Sequence, residues 1–269
     1  TKVLIKTFKK FPLFESSTKI FLYEKSKFLK KVQKENINND KITWIDNFDN
    51  IKQGPIIFFG NEFFDAIPIK QFLRQKNNFQ EKCYIINSHG LRTTYRKALS
   101  DDIANIKSFK SLNKLTFIEY PKQGFNELDK IVKKISKLSG GILLIDYGYL
   151  DRFNGSTLQA IMKNRKIKFE RLVENLGKAD ITYLVNFNLL KEYFLKKNLK
   201  VKKIVSQKFF LEKMGIIERA KILERKMTLK QRRYMALTLF RLLKKDLMGE
   251  KFKVMFAFRS KKDNFLGFK

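Results

Sequence analysis

Residues Gly54–Pro68 read GPIIFFGNEFFDAIP. The unbroken apolar run Gly54–Gly60 fits a strand buried on both faces. It then opens into Asn61, Glu62 and Asp65, interleaved with Phe63 and Phe64, and Pro68 fixes the exit because its ring locks φ. One reading makes Asn61 a turn residue and Asp65 a helix cap. The other points two carboxylates and an amide into an aromatic-walled pocket. The second is favoured, because other strands of this chain end in the same way.

Working outward, Lys19–Glu24 (KIFLYE) and Lys41–Asp46 (KITWID) are short apolar strands, each ending in an acid. Between them Ser26–Glu35 has helical spacing, with Phe28, Leu29 and Val32 on one face. Ile67–Arg74 and Phe79–Asn87 flank Asn77-Asn78 as a hairpin, and Leu115–Tyr120 reads as a further strand. Asn126–Leu138 is a lysine-rich amphipathic helix that runs into Gly140-Gly141 and the strand Ile142–Ile145. From Ala179 the pattern turns helical over Phe187–Leu195, Phe209–Met214 and Leu229–Leu247, with strands near Val201–Ser206 and Lys251–Phe258. This alternation predicts a mostly parallel, doubly wound α/β sheet. Ligands in such sheets sit beyond the carboxyl ends of the strands. Glu24, Asp46, the Asn61–Asp65 stretch and Asp146-Tyr147 all fall there. A carboxylate ending a second strand can accept two hydrogen bonds from a ribose diol, although Glu24 taken alone reads equally well as a solvated strand end.

Composition bounds the alternatives. The 269 residues are 43% hydrophobic and 31% charged, with 12 Gly and 4 Pro, which excludes disordered and collagen-like chains. No apolar run approaches the roughly 18–20 residues that cross a bilayer. The single cysteine, Cys83, excludes a disulfide framework and a Cys-rich zinc site, and in its strand it reads as packing. No ligand cluster predicts a metal. The formal charge of +32 would suit a polyanion partner, yet only 12 of the 58 basic residues are Arg. Lys, Asn, Ile and Phe are inflated together, the signature of an AT-rich coding bias, so the charge reads as a solvated surface before a nucleic-acid footprint. The basic helices Lys130–Lys137 and Lys221–Arg233 read likewise, with contact to an acidic protein as the alternative. His89 sits in a polar turn and carries no expected role, and Phe58-Phe59 and Phe209-Phe210 are expected in the core.

Taken in order, LYEKS (Leu22–Ser26), NEFFDAIPIKQF (Asn61–Phe72), DYG (Asp146–Gly148), STLQA (Ser156–Ala160), ADITYLVNF (Ala179–Phe187), FLEKMGIIERAKIL (Phe210–Leu223) and MGEKFKV (Met248–Val254) resemble the MidA-like class I S-adenosylmethionine-dependent methyltransferases. That family includes the mitochondrial complex I assembly-factor protein arginine methyltransferases and their bacterial relatives. The resemblance covers nearly the whole chain. It implies one methyltransferase domain over residues 1–269, built on a doubly wound, Rossmann-like seven-stranded mixed sheet. Residues 67–120 would be a hairpin insertion and 208–248 a helical insertion able to help select a protein substrate. The family's first motif, an acid followed by a glycine-rich turn, is absent. Thr1 resembles the threonine that closes it, and Thr1–Phe8 reads as the inside of an amphipathic helix, so the chain is expected to lack the first strand and the turn. Lys163, Asn164 and Arg165 stand where relatives often carry a His, and Leu176 where a Pro is common.

The resemblance also implies roles. S-adenosyl-L-methionine is the cofactor, with Glu24 on the ribose hydroxyls, Asp46 and Trp44 near the adenine, Thr1 closing the cofactor turn, and Asn61 and Glu62 by the methionine moiety and the transferred methyl. Glu62 and Asp65 are the first candidates to hold an acceptor guanidinium, with Asp146 and Tyr147 across the pocket. The implied reaction is methylation of arginine on a protein, such as a respiratory complex I subunit, in a bacterial cytoplasm or a mitochondrial matrix. An RNA methyltransferase, a non-catalytic assembly factor that keeps the fold for docking, and a nicotinamide enzyme are the rivals.

Overall fold

A computed structural model describes residues 1–37, 39, 41–88, 90–163 and 165–269; His89, expected in a turn, and Asn164 lie outside the described residues. The chain divides into two compact units, Thr1–Gln53 and Gly54–Lys269.

The first unit opens with helices α1 (Lys2–Phe8) and α2 (Pro12–Ser17). Strand β1 (Ile20–Tyr23), helix α3 (Lys27–Ile37) and strand β2 (Ile42–Ile45) follow. β1 and β2 pair in parallel, Ile20 opposite Ile42 and Tyr23 opposite Ile45. Parallel strands need a long crossover, and α3 supplies it. Ser26 starts that helix by accepting the Leu29 backbone N–H at 3.2 Å.

The second unit begins with β3 (Ile56–Asn61). The hairpin expected around Asn77-Asn78 forms from β4 (Lys70–Gln75) and β5 (Asn78–Asn87), and is extended by β6 (Gly90–Lys97). After helix α4 (Ser100–Lys107), β7 (Phe117–Tyr120) completes an antiparallel sheet in the order β6-β5-β4-β7. Helix α5 (Lys122–Leu138) buries Phe125, Leu128, Ile131, Val132 and Ile135, a helical stripe that faces the core. It leads into β8 (Gly140–Tyr149). Strands β9 (Gln159–Met162), β10 (Arg165–Ile167) and β11 (Asp180–Thr182) make a small antiparallel sheet in the order β10-β9-β11. Then come β12 (Val185–Asn186), α6 (Phe187–Lys196), β13 (Lys200–Val201), β14 (Val205–Ser206), α7 (Gln207–Lys213), α8 (Ile216–Glu224), α9 (Leu229–Leu243) and β15 (Phe252–Arg259).

β8 is the axis of a six-stranded sheet. β3 and β12 run parallel to it, β15 antiparallel, and β13 and β14 pair antiparallel with β15. α5 and α6 pack on one side, their rings Phe125 and Tyr193 stacked at 4.5 Å. On the other side Ile145, Val205, Val254 and Phe210 of α7 form a second core.

Within the six-stranded sheet only β15 runs against the other strands, so the sheet is mixed but mostly parallel, and the hairpin and β9–β11 form separate antiparallel sheets. Two expectations need correction. The run Gly54–Gly60 is not buried on both faces: Ile56, Phe58 and Gly60 are half-buried and the alternate residues exposed, because successive residues of a strand point oppositely. Ile57 and Phe59, 70% and 66% exposed, share the face of Leu143 and Ile145 but are not covered as those residues are. Phe59 is therefore not a core residue, and Phe209 is also exposed while Phe210 is buried.

Candidate functional site

The carboxyl end of β3 is held in place by Asp146. Glu62 follows the strand with φ +48°, the left-handed region, and its N–H donates to Ile145 O at 2.9 Å. This turn aims three successive backbone N–H groups at one oxygen. Phe63, Phe64 and Asp65 donate to Asp146 Oδ2 at 3.2, 2.7 and 3.4 Å. Consecutive N–H groups in such a turn form an anion-binding nest, and a side chain of the same protein fills this one. Asp146 Oδ1 accepts from the Tyr147 N–H at 2.9 Å. Asp146 is 1% exposed, and burial, with the Asp65 charge second, pushes its carboxyl up to about 7.

Strand alternation separates the neighbours Asp146 and Tyr147. Tyr147 lies opposite Phe252, ring against ring at 5.6 Å, on the face that Ile145 shares with Asn61. The two residues expected together across the pocket thus point to opposite faces. Asn61 and Glu62 remain exposed, linked by Asn61 Nδ2 donating to Glu62 Oε1 at 3.3 Å. Asp65 is half-buried and accepts from Thr182 Oγ1 at 3.0 Å; burial outweighs that bond and raises its carboxyl above the usual value.

Two glycines permit this packing. A Cβ on Gly124 of α5 would stand 2.6 Å from Phe64 Cζ, so the helix must be bare where Phe64 seats. A Cβ on Gly148 would meet Val185 O at 2.2 Å.

Residues outside the sequence-based candidate set complete the arrangement. Glu119 on β7 accepts from Gln71 Nε2 at 2.8 Å, from the Thr157 N–H at 2.9 Å and from Thr157 Oγ1 at 2.5 Å. Thr157 Oγ1 in turn accepts from the Leu184 N–H at 3.0 Å. Gln71 also donates to Ser156 Oγ at 2.8 Å. The stretches beginning at Asn61, Ser156 and Ala179, far apart in the chain, are thereby tied to one another. An acid between the buried residues Ile118 and Tyr120 was the signal for Glu119. Tyr183 Oη is buried and has no hydrogen-bond partner among the described residues.

In the first unit Glu24, Trp44 and Asp46 come together. Glu24 Oε1 accepts from the Ser26 N–H at 2.9 Å and Oε2 from Gln33 Nε2 at 3.0 Å. Gln33 Oε1 accepts from Trp44 Nε1 at 3.1 Å. Asp46 pairs with Lys30 at 2.7 Å. Glu24 and Asp46 line an open cleft of about 350 Å³ beyond the carboxyl ends of β1 and β2, together with Lys25, Lys27, Lys30, Lys31 and Lys34. Glu24 and Asp46 thus present carboxylate acceptors at this cleft, while Trp44 is joined to Glu24 through Gln33 and does not line it. Thr1 is exposed and precedes α1 without a side-chain capping bond. Among the described residues no three His, Cys, Asp or Glu side chains converge as a metal ion would require, and no helix is long and apolar enough to cross a membrane.

Residues 1–205 match the model of the family described as "Putative S-adenosyl-L-methionine-dependent methyltransferase". The chain belongs to this family, whose cofactor is S-adenosyl-L-methionine. Within it the chain is similar to the mitochondrial protein arginine methyltransferase NDUFAF7 homolog of Caenorhabditis elegans, 28% identical over 154 residues, which cover 55% of this chain and 35% of that protein. It is 26% identical over 156 residues to the mitochondrial protein arginine methyltransferase NDUFAF7 of Danio rerio, covering 56% of this chain and 35% of that protein. The chain thus spans about a third of the length of these curated relatives. The fold is similar to two crystal structures from Burkholderia thailandensis. One is an uncharacterized protein, with a TM-score of 0.75 at 19% identity, covering 93% of this chain and 68% of that one. The other was solved bound to S-adenosyl-homocysteine, with a TM-score of 0.72 at 20% identity, covering 93% and 66%.

Proposed function

We propose that this methyltransferase family member methylates arginine on a protein. The observation that carries the reading is the exposed pair Asn61 and Glu62 on a turn that Asp146 locks from beneath. The names of the curated relatives agree with it. S-adenosyl-L-methionine supplies a methyl already activated on a sulfonium, so the protein's task is positioning. Glu24 holds the ribose hydroxyls in this reading, Asp46 and Trp44 flank the adenine, and Thr1 belongs to the cofactor turn. Asn61 orients the methionine end. Glu62 pairs with the acceptor guanidinium, whose planar fork suits a carboxylate, and steadies its charge as the nitrogen becomes a nucleophile. Asp65 is the second candidate carboxylate for that guanidinium, and Tyr147 walls the face that Asn61 occupies. Asp146 serves as a positioning residue, because its oxygens are engaged by backbone N–H groups. The seven-stranded order, with residues 67–120 and 208–248 as insertions into one domain, belongs to the same reading, as do a complex I subunit as substrate and a bacterial cytoplasm or mitochondrial matrix as location.

The test is transfer of labelled methyl to protein arginine by the protein and its Glu62→Gln variant, with S-adenosyl-homocysteine binding measured beside it. Glu62→Gln should lower transfer roughly 100-fold or more while cofactor affinity changes little. Undiminished transfer in that variant removes Glu62 from the reaction. Label found on RNA and not on protein replaces the substrate.

A further inference from the structure

Helix α9 buries none of its residues, although it has 15 and a complete capping box between Thr228 and Gln231. It lies beyond residues 1–205, the part that the family match accounts for. Met235, Leu239 and Leu242, at helical spacing, are half-buried, and Gln207 of α7 donates to Leu242 O at 3.1 Å. That stripe faces the domain. The opposite face is neither an ordinary solvated surface nor a plain apolar one. Leu229, Tyr234, Leu237 and Phe240 are 75%, 74%, 68% and 54% exposed. Lys230, Arg233, Arg241 and Lys244 are exposed beside them, and Lys244 lies over the Phe240 ring at 4.8 Å. At about 100° per residue the seven helical positions fall within an arc of roughly 140° in the order Leu229, Phe240, Arg233, Leu237, Lys230, Arg241, Tyr234, so the basic positions lie between apolar ones, and Lys244 follows at the C-cap.

Lysine is inflated throughout the chain and arginine is scarce, yet five of the 12 arginines lie in the 34 residues 216–249, and two of them, Arg233 and Arg241, stand on this face. That segment carries ten basic and three acidic residues, and none of the acids lies within α9. Arginine is the cation that pairs bidentately with carboxylates.

We propose that the outer face of α9 docks an acidic amphipathic segment of a partner protein, with apolar side chains between Leu229, Leu237 and Phe240 and carboxylates on Arg233 and Arg241. Charge complementarity selects this occupant. A second copy of the same face would bring like charges together. A membrane surface favours an apolar face with its cations on the polar side, whereas here the cations lie inside the apolar arc and need partners one by one. Single-stranded RNA would use the cations and the rings but leave Leu229 and Leu237 in water. The inference concerns binding and stands apart from the proposed methyl transfer.

The experiment measures binding of a labelled synthetic helix of about 20 residues, leucines at the third and fourth positions and glutamates between, against its scrambled isomer. A short RNA and phosphatidylglycerol vesicles serve as competitors. The patterned peptide should bind roughly tenfold tighter than the scrambled one. Leu237→Ser with Phe240→Ser, and separately Arg233→Ser with Arg241→Ser, should each weaken it roughly tenfold. Lys133→Ser with Lys137→Ser, exposed on α5, should change it less than about threefold. These variants alter only exposed positions, and an unchanged thermal midpoint establishes that each is folded. Equal binding of both peptides, no loss in either α9 variant, or preferential binding of RNA or vesicles through the same residues overturns the proposal.

Discussion

Asp146 Oδ2 lies 2.7 Å from the backbone nitrogen of Phe64, 82 residues away in the chain. The bond joins β8, three residues before its last, to the turn after β3, at which the side chains of Asn61 and Glu62 are exposed. It also places a carboxylate where a ligand anion would otherwise be drawn, so the nest serves the scaffold.

Asp146→Ala should therefore be costly. It leaves the N–H groups of Phe63, Phe64 and Asp65 without their acceptor, and a buried unsatisfied donor costs about 1–3 kcal/mol. A loss of about 3 kcal/mol or more is expected in urea unfolding. A loss below about 1 kcal/mol would mean that the turn is held by something else.

The same carboxyl makes stability depend on pH. Its folded pKa of about 7 lies above the ordinary 3.8, mainly because it is buried. The native state then binds this proton more tightly than the unfolded chain does. The stabilisation is complete below about pH 4 and is lost as pH rises through about 7. The urea midpoint should fall over that window, and Asp146→Asn, which keeps the shape without the titration, should flatten the fall. An equally steep fall in both proteins assigns the effect to other groups.

Tyr183→Phe should leave stability unchanged or raise it by about 1 kcal/mol. The hydroxyl it removes is buried and makes no hydrogen bond among the described residues, whereas the ring fills core space. Thermal unfolding checks this, and a clear loss would reveal a partner for the hydroxyl.

Asp102 lies at the other extreme. It is fully buried and receives Lys70 at 2.7 Å and Lys122 at 2.6 Å. Burial raises its carboxyl, but hydrogen bonds and charge from the two lysines outweigh it, and the carboxyl ends below the usual value. Asp102→Asn should cost about 3 kcal/mol in urea unfolding, since it takes the carboxylate from Lys122 and leaves Lys70 with Glu81 alone, at 3.4 Å. Lys130→Ser, which breaks the exposed pair with Glu127, should cost less than about 1 kcal/mol. Similar losses in the two variants would show that burial does not decide the outcome.

Local pattern was enough to find much of this molecule. The apolar stretches ending in Glu24, Asp46, Asn61 and Asp146 are strands or strand ends, and the helices at 27–37, 122–138 and 187–196 follow their 3.6-residue spacing. Those features depend on neighbours in the chain, which the sequence displays directly. What faces a strand does not. Ile57 and Phe59 look like core in any reading of GPIIFFG, and only the packing around β3 leaves them exposed. Asp146 looks like a site residue, and only the turn opposite converts it into a support. Glu119 stands out in the sequence only as an acid between Ile118 and Tyr120, and its role is decided by Thr157 and Gln71, which arrive from elsewhere in the chain. Periodicity records which residues prefer to be hidden. Long-range pairing decides what hides them and where their polar groups find partners, because hydrogen bonds and burial are settled by contacts that close only in three dimensions.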